Sequence, residues 1–462
     1  MSDRNPFRRT ELANMKRENF SSRFGVLMAM AGSAIGLGNM WRFPYMVGEY
    51  GGAAFIIVYI LCVFLLSLPI LFAEFILGRR SQTNALGAFK KMAPGTPWKW
   101  VGGLTIIAPL IIVSYYSVIG GWSTEYFFKA CTFGFTQYVT HDELETMFND
   151  FVSSPWIPLF GHTAFLAVTA LIVMRGVKGG IEKFGKIMMP VLFVVVVLIA
   201  VRSMTLEGAA EGIAYLFRPD FSKLDSEVCA AALGQSFFSL SLGCGTMLTY
   251  ASYVSKSENI AGSSAAIAVS DLIFAMIAGC AIMPAVFAFG LSPQAGPGLV
   301  FKTLPFIFSQ MPLGAFVAIL FFLALLIAAF TSSISLFEVG VAYLVEERGM
   351  KRKTACAIVF FLTWGIGILC SLSFGPLSHI KIFGNTIFDF FDKLSANFLM
   401  TIGSFLVVVF TGWKMKKTDA FDEFTNGGTI GVNARLFKPV WFIIRWIAPL
   451  TIIVIFLSNL FG

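Results

Sequence analysis

The sequence predicts an all-α polytopic membrane protein with about eleven transmembrane helices. Its 462 residues are 57% hydrophobic and 13% charged, with a mean hydropathy of +0.78, so polar side chains are too few to cover a water-soluble globule of this size. Apolar stretches long enough to cross about 30 Å of hydrocarbon recur along the chain. They far exceed the roughly ten-residue strands of an outer-membrane barrel, which leaves helices as the spanning elements.

The predicted spans form two sets of five, residues 24–203 and 226–413, followed by one extra helix at 436–460. Because each set has an odd number of crossings, the second enters from the opposite side of the membrane, as in an inverted-topology repeat. The polar segment 1–23 shows no removable signal peptide. The eleven spans are expected at 24–49, 53–77, 100–132, 156–174, 184–203, 226–255, 260–289, 313–345, 354–372, 384–413 and 436–460.

Basic residues set the predicted orientation, because Lys and Arg near span ends are retained on the cytoplasmic side. With the N-terminus inside, the cytoplasmic segments hold 25 of these residues and the external loops hold five: Arg202, Arg218, Lys223, Lys302 and Lys381. We therefore expect a cytoplasmic N-terminus and an external C-terminus. The net charge of +8 then reflects topology and attraction to the lipid bilayer, and no nucleic-acid partner is expected.

Two of the predicted spans contain glycine-rich interruptions, at 36–40 (GLGNM) and 243–247 (GCGTM), and each interrupted span opens one set of five. Within hydrocarbon, a broken helix is tolerated only where its free carbonyls and amides face protein, an ion or a solute. Breaks in corresponding positions of two halves indicate a binding site at the bilayer midplane. Helices 1 and 6 are thus predicted to be discontinuous, as in a transporter.

The first break has the chemistry of cation ligation. Unwound carbonyls and the side-chain oxygen of Asn39 suit a hard cation such as Na⁺. The half-helix that begins near Met40 points its positive dipole end into the same space, where an anionic group is stabilised. The alternative is that Gly32 and Gly36 only form a close helix-packing seam.

Hydroxyl groups cluster at two further places. Ser239 and Ser241 come just before the glycines of the second break, where they can ligate an ion or bond back to their own helix. In the eighth span, Thr331 and Ser332 follow the Ala328 carbonyl by one turn and make a plausible half-shell for a monovalent cation. Close packing of small residues is the alternative explanation for this cluster.

Ionisable residues inside the spans need partners, because charges at this depth are costly. We expect Arg42 to pair with Asp392 as an external gate, and Arg17 to pair with Glu346 as a cytoplasmic gate. Glu74 is interpreted as a structural group that bonds the ends of the broken helices. The ionisable residues within the spans include Arg42, Glu74, Asp271, Asp389 and Asp392.

The stretch from Ala31 to Pro44, AGSAIGLGNMWRFP, resembles the first-helix signature of the neurotransmitter:sodium symporter family, which includes bacterial amino-acid transporters such as the leucine transporter. The residues 115–116 (YY), 234–245 (GQSFFSLSLGCG), 249–253 (TYASY) and 331–333 (TSS) match as well. The resemblance covers essentially the whole chain. It implies a multi-pass protein of the bacterial inner membrane that imports an amino acid with Na⁺ by alternating access.

The resemblance also implies a set of site residues. The first sodium would be ligated by Ala34, Asn39 and Ser239 together with Ser270 or Asp271 of the seventh span, and the second by Gly32, Ile35, Ala328, Thr331 and Ser332. Tyr116 would bind the substrate carboxylate and Phe238 would cover the substrate as a lid. The substrate site would comprise Ala34, Gly36, Gly38, Ile112, Tyr116, Phe238, Ser239, Ser241, Cys244, Ser333 and Leu336.

Departures from the family pattern refine the expectation. Gly36 stands where amine carriers have an aspartate, which favours a solute with its own carboxylate. Cys244 replaces a phenylalanine of the leucine transporter and makes room for a larger apolar or aromatic side chain. In bacterial relatives an acid like Asp271 stands in for chloride, so chloride dependence is not expected. Gly180 and Pro190 match a pattern that accompanies unwinding in relatives, although Pro190 could be a simple kink.

Two other function classes compete with a symporter. An intramembrane enzyme is disfavoured, because His141, His162 and His379 lie near loops or span ends, away from any predicted nucleophile and acid. An ion channel or an amino-acid sensor on the same scaffold would use similar breaks and ion sites. The sequence assigns no oligomeric state.

Overall fold

The computed structural model describes residues 18–138, 140–294 and 296–461, and the regular structure in these ranges is helical. Within these ranges, nine helices are individually long and apolar enough to cross a membrane. They are Ala53–Ser81, Lys99–Cys131, Ile157–Met174, Val177–Met204, Ile260–Ala288, Gly314–Arg348, Arg352–Leu372, Ile387–Lys414 and Gly431–Val454, and the last continues as helix to Phe461. The predicted all-α membrane class is confirmed.

The two remaining spans are interrupted, as the glycine motifs predict. The first consists of Arg23–Ala34 and Gly38–Glu49, which meet at an angle of 47°. The sixth consists of Ser226–Ser239 and Thr246–Ala251, each too short to cross a bilayer alone. Together with the nine continuous helices, these two spans correspond to the eleven predicted crossings.

Several connections expected to be loops contain short helices. The acidic segment after the third span forms His141–Ser153, which begins with a capping box between Thr140 and Glu143. The other short helices are Ala85–Met92, Ala209–Phe217, Phe221–Lys223, Gly296–Leu299, Thr303–Gln310 and Lys417–Thr425.

The fifth span is wound continuously from Val177 to Met204, including Pro190, so the unwinding implied by the resemblance is not seen in this conformation.

The interrupted spans lie at the centre of the helix bundle. The first packs against the fifth, seventh and eighth spans, and both halves of the sixth pack against the second. The third and eighth spans pack closely against each other beside them. The freed backbone of both breaks is therefore enclosed by protein, as a low-dielectric membrane interior requires.

An ion network closes the face of the bundle on which residue 18 lies, which we call the N-terminal face. Arg79, only 1% exposed, donates through Nε to Glu423 at 2.7 Å and also donates to the carbonyls of Glu423 and Glu258. Lys256 donates to the other Glu423 oxygen at 2.5 Å. These bonds fix helix Lys417–Thr425 to the second span and to the loop after the sixth.

The Glu423 network yields a prediction about stability. Burial acts to raise the pKa of Glu423, but hydrogen bonds and positive charge from Lys256 and Arg79 outweigh it and hold the pKa below its usual range. Glu423→Gln should therefore destabilise the protein at pH 7 by about 3 kcal/mol, because Arg79 keeps a buried charge without its counter-ion. Thermal unfolding of the purified protein measures the loss.

The loss of stability caused by Glu423→Gln should depend on pH. Because the folded state lowers this pKa, the stabilisation is complete above the unfolded value of about 4.3 and disappears as the pH falls through the folded value. Asp419→Asn is the matched control, since Asp419 pairs with Arg80 at a more exposed site and should cost less than about 1 kcal/mol. Equal losses at pH 7 for the two variants would contradict the assignment.

Candidate functional site

In the first break, the main chain of Ile35–Leu37 leaves the regular helix. The helix ends at Ala34, and Ile35 takes an extended conformation with ψ of 100°. The amide of Gly36 donates to Asn39 Oδ1 at 3.1 Å, and the amide of Leu37 donates to the Tyr116 hydroxyl at 3.3 Å. Asn39 and Tyr116 thus stabilise the unwound turn and lie within reach of anything bound beside it.

The second break is a tight turn that only small residues permit. Ser241, Gly243 and Gly245 all have positive φ values, of 52°, 78° and 70°. A Cβ atom on Gly243 would also collide with the carbonyl oxygen of Met400. Glu74 accepts a hydrogen bond from the Gly243 amide at 2.7 Å, which confirms its interpretation as a group that bonds a broken helix end.

The two breaks are joined directly. Ser241 Oγ, in the second break, donates to the carbonyl of Ser33 in the first span at 3.0 Å. Gln235 Nε2 donates to the carbonyl of Gly38 at 3.1 Å. The free carbonyls of the first span therefore find partners on the sixth.

Asp271 is the centre of a buried polar cluster between the breaks. Its carboxylate accepts hydrogen bonds from Asn39 Nδ2 at 2.8 Å, from Ser239 Oγ at 2.8 and 2.9 Å, and from the Tyr59 hydroxyl at 3.3 Å. Asp271, Asn39 and Tyr59 are 0% exposed and Ser239 is 1% exposed. Ser270 is exposed, and the structure does not bring it to this cluster.

This cluster fits a monovalent cation. Among the described residues, no Lys or Arg forms an ion pair with Asp271, although a buried carboxylate needs a counter-charge. The other side chains of the cluster are neutral: they are two hydroxyls and the Asn39 amide, whose Nδ2 faces Asp271 and whose Oδ1 accepts from the Gly36 amide. No group of three or more His, Cys, Asp or Glu that could hold a transition metal occurs in the described ranges. Ala34, Asn39, Ser239 and Asp271 could hold the first sodium.

A second group of oxygens gathers where the first and eighth spans meet. Thr331 Oγ1 lies 3.0 Å from the Ala328 carbonyl and 3.4 Å from the Ile35 carbonyl. Ser332 Oγ lies 3.4 Å from the Gly32 carbonyl. The five residues expected at the second sodium are therefore brought together, and they could hold a cation through uncharged oxygens.

A small cavity lies between the two oxygen clusters. It does not include Ser239, which belongs to the Asp271 cluster, or Ser333, which bonds to Thr169 at 3.2 Å on the side of the fourth span. Ser33, Ser332 and Met400 were not predicted here. The lining is Ser33, Ala34, Gly36, Gly38, Ile112, Tyr116, Phe238, Ser241, Cys244, Ser332, Leu336 and Met400.

Helix geometry explains the difference between Ser332 and Ser333. Leu336 follows Ser332 by four residues, so both lie on one face of the eighth span, whereas Ser333 is rotated by about 100°. The helical period could therefore have identified Ser332. Met400 belongs to the tenth span and reaches the cavity through tertiary packing, for which the sequence holds no signal.

The expected gates are only partly assembled. Arg42 donates to Gln235 Oε1 at 3.1 Å and lies over the Phe238 ring, 4.7 Å from its centroid. Within the described residues, Arg42 and Asp392 interact electrostatically without a direct ion pair. Arg17 lies outside the described residues, and Glu346 accepts a bond from the Asn84 amide at 2.6 Å.

The chain is similar to known proteins along most of its length. Residues 17–154 and 156–462 match the model of the sodium:neurotransmitter symporter family. The chain belongs to this family. It is 41% identical to the sodium-dependent transporter YhdH of Bacillus subtilis, over 98% of this chain and 99% of that one. It is 35% identical to a sodium-dependent transporter of Haemophilus influenzae, over 97% and 99%.

A solved structure of the family shares the fold. The crystal structure of MhsT in complex with L-phenylalanine superimposes with a TM-score of 0.89 at 43% sequence identity, covering 96% of this chain and 100% of MhsT. The family consists of transporters, and its sodium dependence agrees with the oxygen-rich chemistry of both clusters.

The cluster around Asp271 yields a prediction about sodium binding. Asp271→Asn should weaken the sodium-dependent thermal stabilisation of this symporter, shifting the half-maximal Na⁺ concentration upward by about tenfold or more, because an ion at this cluster would lose the buried carboxylate that balances its charge. Asp389→Asn, an exposed acid of the tenth span, is the control and should leave the titration unchanged. Identical sodium titrations for both variants would remove Asp271 from the site.

Proposed function

We propose that this protein is a sodium-coupled symporter that imports an amino acid, apolar or aromatic, through a midplane site with two Na⁺ ions. The observation that supports it best is the placement of a small cavity between two oxygen clusters, of which one contains a buried carboxylate and the other contains none. The N-terminus is cytoplasmic in this proposal, as the distribution of basic residues indicates. The setting is the inner membrane of a bacterium.

The polar end of the cavity suits a zwitterion. A Cβ atom on Gly36 would collide with Ser332 Oγ and approach the Tyr116 hydroxyl to 3.2 Å, so this position leaves space and brings no charge. The Leu37 amide and the Tyr116 hydroxyl can both donate to a substrate carboxylate, beside the positive end of the half-helix that begins at Gly38. The ion at Asp271 supplies positive charge nearby.

The other end of the cavity is apolar. Ile112, Phe238, Cys244, Leu336 and Met400 line it, and Cys244 and Met400 are polarisable sulfur groups that favour aromatic rings. L-Phenylalanine, which MhsT holds in its crystal structure, is the first candidate substrate. Chloride is not required in this proposal, because Asp271 already provides the negative charge.

Sodium coupling supplies the driving force. Each Na⁺ that moves inward gains about 2.3 kcal/mol per 100 mV before any concentration term. A second cavity adjoins the second sodium site through Gly32 and Thr331 and extends toward Phe184 and Gly185 of the fifth span. In alternating access, loosening of the fifth span at this place would open a water path from the second sodium to the cytoplasm.

Transport itself tests the proposal. Proteoliposomes with an inward Na⁺ gradient should accumulate labelled L-phenylalanine above its external concentration, and K⁺ should not replace Na⁺. Tyr116→Phe should lower uptake by about tenfold through loss of one hydrogen bond to the substrate. Tyr126→Phe is the matched control, because that buried hydroxyl of the same helix bonds to the Phe301 carbonyl away from the cavity.

The competing functions give different results in that assay. A channel on this scaffold would equilibrate the amino acid without concentrating it, and a sensor would bind the amino acid and move none. Either result with folded protein and an intact sodium gradient would refute the symporter proposal.

The apolar end of the cavity yields a prediction about selectivity. Cys244→Phe should reduce the uptake of phenylalanine relative to alanine by about tenfold or more, because the added ring fills the space meant for the substrate side chain. Cys229→Phe, at an exposed position of the sixth span, is the control and should leave the ratio unchanged. If the Cys244→Phe transporter keeps the original uptake ratio, the substrate side chain does not bind beside Cys244.

A further inference from the structure

A groove separate from the midplane cavity opens between the third, eighth and ninth spans. Its walls are apolar and come from Ile106 and Leu110 of the third span, Leu344 of the eighth, and Val359 and Leu362 of the ninth. Gly103 lies in the wall, and a Cβ atom there would meet no atom within 4 Å. The missing side chain at Gly103 therefore leaves a channel along the helix.

The mouth of the groove is basic. Lys90, Lys99 and Arg348 line it, with one carboxylate, Glu347, which is paired with Lys90. Lys99 and Arg348 are exposed, and neither forms an ion pair within the described residues. Lys99 lies over the Trp100 ring, 5.3 Å from its centroid, and Arg348 donates to the Tyr343 hydroxyl at 3.3 Å. Because these partners are not paired acids, both cations can still attract an anionic group at the N-terminal face.

The groove also has the dimensions of one leaflet. Along the third span, the groove extends from Lys99 at its mouth to Leu110 at its far end, toward the middle of the membrane. The rise between these residues is about 16 Å, which is about half of the hydrocarbon thickness. Trp100, 72% exposed, lies at the mouth, where aromatic rings mark the membrane–water interface. Ile107 and Leu362, each about half exposed, open the groove toward the surrounding lipid.

We propose that this groove binds an anionic glycerophospholipid, with its phosphate between Lys99 and Arg348 and one acyl chain along Gly103. A zwitterionic lipid would leave the charge of the mouth uncompensated, and an aqueous anion would leave the apolar walls without a partner. Basic pockets between membrane helices suit anionic headgroups. Gly340 and Tyr343 also line the groove, and they belong to the eighth span, which carries Thr331 and Ser332 of the second sodium site.

Lipid retention tests the proposal without any transport assay. The delipidated protein in detergent is titrated with phosphatidylglycerol or phosphatidylcholine, and native mass spectrometry counts the bound molecules. The wild-type protein should retain one phosphatidylglycerol that phosphatidylcholine does not displace. The double variant Lys99→Gln/Arg348→Gln should bind it about 25-fold more weakly, since each basic group contributes about fivefold.

A steric variant tests the acyl chain independently. Gly103→Leu fills the groove without altering its charge and should also abolish retention. Gly179→Leu, at an exposed glycine of the fifth span whose Cβ would meet no atom, is the matched steric control, and Lys178→Gln/Lys183→Gln, which removes two exposed basic groups of the fifth span, is the matched charge control. Both should retain the lipid.

Three results would overturn the proposal. One is equal retention of phosphatidylcholine and phosphatidylglycerol. Another is unchanged retention in both groove variants. The third is a dimer that Gly103→Leu dissociates with no change in bound lipid, because the groove would then be an interface between two copies.

Discussion

The carboxylate of Asp271 determines how the two interrupted spans meet. It receives hydrogen bonds from Asn39 of the first span, from Ser239 of the sixth and from Tyr59 of the second, at a place that no solvent reaches. Three neutral donors reduce the cost of burying this charge but do not balance it. A cation at this cluster would supply the missing positive charge. A sodium ion bound there would therefore help to hold the two interrupted spans together.

The breaks themselves follow from the same electrostatic constraint. Backbone groups freed inside a membrane require partners, and here Ser241, Gln235 and Glu74 provide them from neighbouring helices. The glycines allow the close approach that these bonds need, as the contact of Gly243 with Met400 shows. Part of the unwound backbone is left facing the cavity, where ions and a zwitterion would complete the bonding.

Sequence reasoning predicted the features that are local along the chain. Both breaks and the oxygen cluster of Thr331 and Ser332 were identified from residue types at short spacing, and the structure brings these groups together. Positions set by helix rotation or tertiary packing were less predictable. Ser270 and Asp271 are adjacent, and the sequence does not distinguish them without knowledge of which helix face is buried. Met400 reaches the cavity from a distant span.

We expect the interrupted backbone and Asp271 to bind sodium together. Equilibrium binding of ²²Na⁺ to the purified protein tests it most directly, because it counts ions without requiring transport. Two saturable sodium ions should bind per chain, with tighter binding when the amino-acid substrate is present, since binding free energies are reciprocal. A protein that binds its amino acid with unchanged affinity in the absence of sodium, and that retains no ²²Na⁺, would show that these groups do not form a sodium site.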